Sequence, residues 1–286
     1  MSMTQVLFRL LDLPPELVSR VCDYLPDKQL KHIHLACKTF QTHSMTAFGQ
    51  RFFDHLIVIL HPTSLTTFLD IARHEQLSKY VTRVSVSGER ISNSIVPLVD
   101  EERHVSLQQG VYESGLDSET LAEALPMLKT LRTLRIDTEQ YTECNHPRIR
   151  CGCKYLPQAP VPLWKPAGDN NGYNRVYNLV LSVLEKTNLS DFDLEISFWA
   201  TLEDYTEEVA YFDIQSPLWT DYAAKRIRYL RFQDNTNPAW FCGLLQSAND
   251  LHTVSVKFPT IYTVLGYQLS FYDFAYPFKW PNLRRL

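Results

Sequence analysis

Apolar residues recur every three to four positions through the first fifty residues, then at every second position in short, widely spaced runs. The first spacing predicts helices. Leu13-Pro14-Pro15-Glu16 opens one, because proline fits a first helical turn and an acid there meets the positive end of the helix dipole. Leu17, Val21 and Leu25 follow on one face, widened by Val18 and Cys22, until Pro26 stops the pattern. Asp27 is positioned as the next cap, ahead of a stripe of Leu30, Ile33, Cys37 and Phe40 broadened by Leu35 and Ala36. A third helical phrase carries Met45, Phe48 and Phe52, with Ser44 as its expected cap.

Downstream the grammar changes to helix, then short strand, repeated. Residues 56–60 form an apolar run of strand length. A helix with Leu65, Phe68, Leu69 and Ala72 on one face follows, with Ser64 as expected cap, and leads into alternating residues 81–86. The order recurs at a helix beginning at Ser118 with strand 131–136, and at helix 176–184 with strand 192–198. Strands 227–232 and 251–256 flank a helical piece at 240–246, and residues 281–286 start the phrase once more. The strand centres at 84, 134, 194, 230 and 254 stand 50, 60, 36 and 24 residues apart. Only the last interval fits the roughly 20–29 residues of an ordinary leucine-rich repeat. The reading is therefore α+β or α/β: a helical segment over 8–55, then an irregular leucine-rich-repeat-like solenoid over 56–286. Residues 141–174 form an irregular, proline-marked insertion. An α/β domain without true repeats is the alternative architecture.

Composition limits the functional classes. At 286 residues, 45% hydrophobic and 21% charged, the chain is expected to be globular. A net charge of −4 does not point to nucleic acid or an anionic membrane as a main partner. No run of 18 apolar residues predicts a membrane span, and residues 6–11 are too short for a signal-peptide core. A cytoplasmic or nuclear protein with reduced cysteines is the expectation. The three N-terminal helices carry more apolar surface than about forty residues bury alone. A second surface, from this chain or another, must cover the surplus.

The order Leu13, Pro14, Glu16, Leu17, Val21, Tyr24, Leu25, Leu30, Leu35, Cys37, Lys38, Phe40 resembles an F-box. Phe40 stands where that family often has Trp. The resemblance covers about the first sixth of the chain. It implies a non-catalytic substrate receptor of a Skp–cullin–F-box ubiquitin ligase, and many such proteins carry leucine-rich arrays. The linker subunit would dock on Leu13, Pro14, Glu16, Leu17, Val21, Leu25, Leu30, Leu35, Cys37 and Phe40, and through it a cullin. A client protein would be taken by the downstream region. An F-box scaffold outside any ligase is the alternative.

In a solenoid, Arg83, Arg132, Arg135, Arg228 and Arg231 would face outward from the strands, with Glu195 and Lys257. They are either a wall for an acidic client segment or a solvated strand face; simple alternation favours the latter. The phrase beginning at Pro281 leads to the expectation that a further capping segment belongs after Leu286. Cys144, His146, Cys151 and Cys153 place four zinc-compatible ligands within ten residues, though not at a standard finger spacing. Reduced loop cysteines are the alternative, and no other cofactor is expected. Cys22 and Cys37 are expected as buried core thiols, and His32, His34, His43 and His55 as solvent-facing. The aromatic segment 198–222 is expected to fill core. Phosphate-binding, dinucleotide and hydrolase-elbow motifs are absent from the sequence.

Overall fold

Proline sets the boundaries of the first helices. In the computed structural model, Pro14 sits at φ −50°, ψ 143°, and Pro15 opens α1 (Pro15–Tyr24). Leu25, forced extended by the following proline, closes it at ψ 141°. Helix α2 (Asp27–Ala36) starts directly after Pro26, with Asp27 inside its first turn. Cys37 is fully extended, at φ −163°, ψ 165°, and separates α2 from α3 (Lys38–Phe52). The stripe read as continuous to Phe40 is therefore cut at Cys37, and Phe40 belongs to α3. Ser44 lies inside α3 and does not cap it. The structure describes residues 10–88, 90–91, 101–137, 151–152, 164–165, 170–189, 192–199, 213–233, 238–248, 250–256 and 284.

The chain divides into two compact units, Met1–His55 and Leu56–Leu286. The first is built on Cys22, Leu30, Ala47 and Phe52, with Leu25, Ile33, Phe48 and Phe53 packed against them. His34 is buried in this unit, not solvent-facing. Its ring stacks on Phe48 at 3.8 Å, and its Nδ1 lies 2.9 Å from Ser44 Oγ. The Ser44 hydroxyl donates to Phe40 O at 2.6 Å, so it accepts from His34.

The second unit is a mixed helix–strand fold with a parallel sheet. Its strands are β1 (His55–Ile59), β2 (Arg83–Ser87), β4 (Thr133–Asp137), β6 (Asp193–Trp199), β7 (Ile227–Gln233) and β8 (Thr253–Val256). They are hydrogen-bonded in that order. From β2 to β8 every pairing is parallel. Each strand thus lies beside the one before it, and among the described strands the order never reverses. A pair of two-residue strands, β3 (Arg90–Ile91) and β5 (Trp164–Lys165), forms a separate antiparallel ribbon.

The helices follow the same sequence. Helix α4 (Pro62–Arg73) packs on α6 (Leu116–Met127), α6 on α7 (Asn170–Thr187), and α7 on the π-helical turn Leu218–Ala223. Aliphatic residues of alternate strand positions form the buried layer: Val84, Val86, Leu134, Ile136, Leu194, Ile196, Leu230 and Val254. Trp219 is fully buried, and its Nε1 donates to Ser247 Oγ at 2.6 Å, joining the π-helical turn to α8 (Pro238–Ser247).

Several boundaries differ from the sequence reading. His61, not Ser64, caps α4, its side chain accepting from Thr63 N at 3.2 Å; Ser64 Oγ instead accepts from Ile59 N at 3.0 Å. Helix α6 begins at Leu116 behind Gly115, whose φ of +73° is the left-handed conformation glycine permits, so Ser118 lies within the helix. Helix α5 (Glu101–Ser114) has no counterpart in the periodicity. The irregular insertion expected to run to 174 meets α7 at Asn170. Among the described residues, no helix is long and apolar enough to cross a membrane.

Candidate docking face of the helical unit

Helix α1 carries two apolar stripes side by side, one residue apart in phase. Val18 and Cys22 turn inward and are buried. The other stripe, Leu17, Val21 and Tyr24, recurs at i, i+4 and i+7 and so stays together on one face. Leu17 remains 45% exposed and Tyr24 81% exposed, with Val21 half-buried. On α2, Leu35 is 80% exposed. Leu17, Tyr24 and Leu35, all in the helical unit, are three of the five exposed large hydrophobic residues among the described residues.

The ten residues assigned to linker docking do not share one environment. Pro14, Glu16, Leu17, Leu35 and Cys37 are exposed; Leu13, Val21, Leu25 and Phe40 are half-buried. Leu30 is fully buried and serves the core, as Leu25 does in part. Cys37, expected as a core thiol, is exposed because the extended break between α2 and α3 turns it out. Tyr24 was not assigned to docking from the sequence, although it completes the 17, 21, 24 stripe. The signal was present in the spacing but was absorbed by the neighbouring inward stripe.

The same helical unit exposes charged side chains. Glu16, Arg20, Asp23, Lys28, Lys31 and Lys38 are exposed. Lys31 Nζ lies 4.5 Å from the centroid of the Phe52 ring, a cation–π contact that covers core aromatic surface with a charged stem.

The zinc reading rests on one described residue. Cys151 is buried, and its N–H donates to Ile57 O at 2.8 Å, pinning this point of the insertion to β1. Cys144, His146 and Cys153 lie outside the described residues. Among the described residues no group of three His, Cys, Asp or Glu side chains is placed to hold a metal ion.

A second polar constellation joins α4 to α5. His61 is fully buried, and its Nε2 lies 3.1 Å from His104 Nδ1. Because His61 Nδ1 accepts from Thr63 N, its proton sits on Nε2 and is donated to His104. Burial first, and the neighbouring His104 second, lower the His61 pKa to about 4. The contact links the start of α4 to α5.

On the strand face, Arg83 and Arg132 are exposed, while Arg135, Glu195 and Arg228 are half-buried. Arg135 and Glu195 face each other in register across β4 and β6. Arg228 lies 3.7 Å from Asp193 and 3.4 Å from Asp250. Among the described residues, Arg135 and Arg228 therefore stand beside acidic side chains. The Arg231 side chain and Lys257 lie outside the described residues. Comparison with family models and with curated proteins returns no match to this chain.

Proposed function

We propose that the chain is a non-catalytic substrate receptor of a Skp–cullin–F-box ubiquitin ligase. The helical unit docks the Skp-type linker, and the strand-and-helix unit takes the client. The observation that carries this reading is the apolar surface left outside the N-terminal core: Leu17, Tyr24 and Leu35. Each such side chain contributes roughly 1.5–3 kcal/mol when removed from water. Three together approach the association cost of about 4–15 kcal/mol, so flanking contacts at Pro14, Val21 and Phe40 set the margin. The order of residues from Leu13 to Phe40, which resembles an F-box, gives the partner its identity.

The second unit fits a receptor platform. Its strands and helices add one after another in chain order, the manner of a leucine-rich-repeat-like solenoid, which is how we read it. Among the described strands the order does not reverse, so they form no switch point of the kind where open α/β sheets bind small ligands. The receptor catalyses nothing itself; it raises the effective concentration of client lysines at the conjugating enzyme.

Leu17→Asp combined with Leu35→Asp is the test, because both positions already face water. Capture of the chain by purified linker subunit should fall at least about tenfold while helicity is retained. Undiminished capture would overturn the reading. A cullin that co-purifies with the linker distinguishes a ligase receptor from an F-box scaffold acting outside a ligase.

A further inference from the structure

The last carbonyls of a helix have no intrahelical partner. At the end of α1, the carbonyl oxygens of Asp23 and of the capping residue Leu25 receive the two terminal nitrogens of Arg51, which reaches across from the last turn of α3. The same guanidinium lies 3.5 Å from the Asp27 carboxylate in the first turn of α2. One side chain therefore ties the end of α1, the start of α2 and the end of α3 together. The link between α1 and α2 is only Leu25 and Pro26, so this tie sits at their corner. The two gripped carbonyls flank Tyr24, whose side chain is the most exposed large hydrophobic of the face.

Resting on the docking reading above, we propose that Arg51 is the positioning residue of this face. It holds the backbone on both sides of Tyr24. Through Asp27 it also fixes the angle at which α1 presents Tyr24 and α2 presents Leu35. A planar fork with several fixed donors serves two carbonyls at once, whereas a lysine ammonium is a single point. Order imposed before binding removes part of the cost of ordering on binding. Arg51 itself lies off the apolar stripe; it acts through Tyr24.

The test is a double-mutant cycle on the full chain, with affinity for purified Skp-type linker subunit measured by calorimetry and helicity recorded for every variant. Arg51→Met is expected to weaken binding about tenfold, the size of a lost charged hydrogen bond. Arg51→Lys should fall between the two. In the Tyr24→Ala background, the same Arg51→Met change should cost less than about twofold, because the group it positions is gone. An equal loss in both backgrounds would mean general loosening, and that result, or no loss at all, overturns the proposal. Should Arg51→Met fail to fold, the cycle run with Arg51→Lys is judged by the same criteria. Leu17→Asp separates the two levels of inference. If it binds like the parent chain, the docking reading and this proposal fall together. If it binds weakly while the Arg51 cycle is flat, only the positioning role fails.

Discussion

Among the described residues, the partners of a buried polar side chain determine what its substitution does. Asp117, at the start of α6, is almost fully buried. Its Oδ2 lies 3.0 Å from Arg175 Nη2, which also donates to Tyr112 O at 3.0 Å and stacks its guanidinium over the Tyr112 ring at 4.4 Å. Arg175→Met leaves that carboxylate buried without its counter-charge, held by the Ser118 N–H that donates to its Oδ1 at 2.8 Å. We expect a loss of about 2–3 kcal/mol in urea unfolding, below a fully buried pair because Arg175 keeps a third of its side chain in water. Asp117→Asn in addition should recover part of that loss.

His61 sets a pH dependence of definite sign. Its folded pKa of about 4 lies below the unfolded value near 6.5, so the unfolded chain binds the extra proton. The contribution is complete above about pH 6.5, declines as pH falls through that range, and is lost by about pH 4. From pH 7 to pH 5 this one group should cost about 2 kcal/mol. His61→Asn keeps a capping oxygen for α4 but does not titrate. Unfolding free energies at the two pH values should therefore differ less in the variant than in the parent. His34, whose pKa burial also lowers, acts in the same direction in the helical unit.

At the level of elements, the instructive case is α1. Its sequence offers two stripes, and periodicity does not say which one faces the core. Leu17, Val21 and Leu25 read as the main stripe, with Val18 and Cys22 as its margin. The structure buries the margin and exposes Leu17. Cys22→Asp should abolish the far-ultraviolet helical signal of the N-terminal unit, while Leu17→Asp should leave it intact; the reverse result would mean that α1 is rotated. Strand positions were far more legible. All six strands of the parallel sheet are legible within a few residues, β1 as a continuous apolar run that is buried throughout and the others from alternating apolar positions. Helix α5 is hard to read because Val105, Leu107, Val111 and Tyr112 are its only apolar side chains, too few to stand out among its polar residues. The cap of α4 was missed because a histidine at that position signals nothing without its Thr63 contact. Gly152 belongs to the same class. Its φ of +70° and the Thr63 carbonyl 3.0 Å from where a Cβ would stand make Gly152→Ala a strained substitution. We expect it to lower the unfolding midpoint by about 1–2 kcal/mol equivalent.

For the whole molecule, each of the two units has its own core, and the sequence provides a convenient reporter. All five tryptophans, at 164, 199, 219, 240 and 280, belong to the second unit. Tryptophan fluorescence therefore follows that unit alone. Leu30→Asp places a charge in the centre of the small N-terminal core. It should remove helical signal and linker binding while leaving the fluorescence-detected urea midpoint unchanged. A shifted midpoint would show that the two cores stabilise each other.

The sequence by itself determined the grammar of this protein: three short helices with too much apolar surface, then strands and helices in alternation. Those are local properties, carried by proline, by helical spacing and by the two-residue period of a strand. Only the tertiary structure decided which of two adjacent stripes faces water, that the sheet keeps chain order without reversing, and that Arg51 meets carbonyls twenty-six and twenty-eight residues away. These depend on contacts between residues distant in the chain. Local periodicity fixes the angle of a side chain around its own axis, but not which neighbour that side will meet.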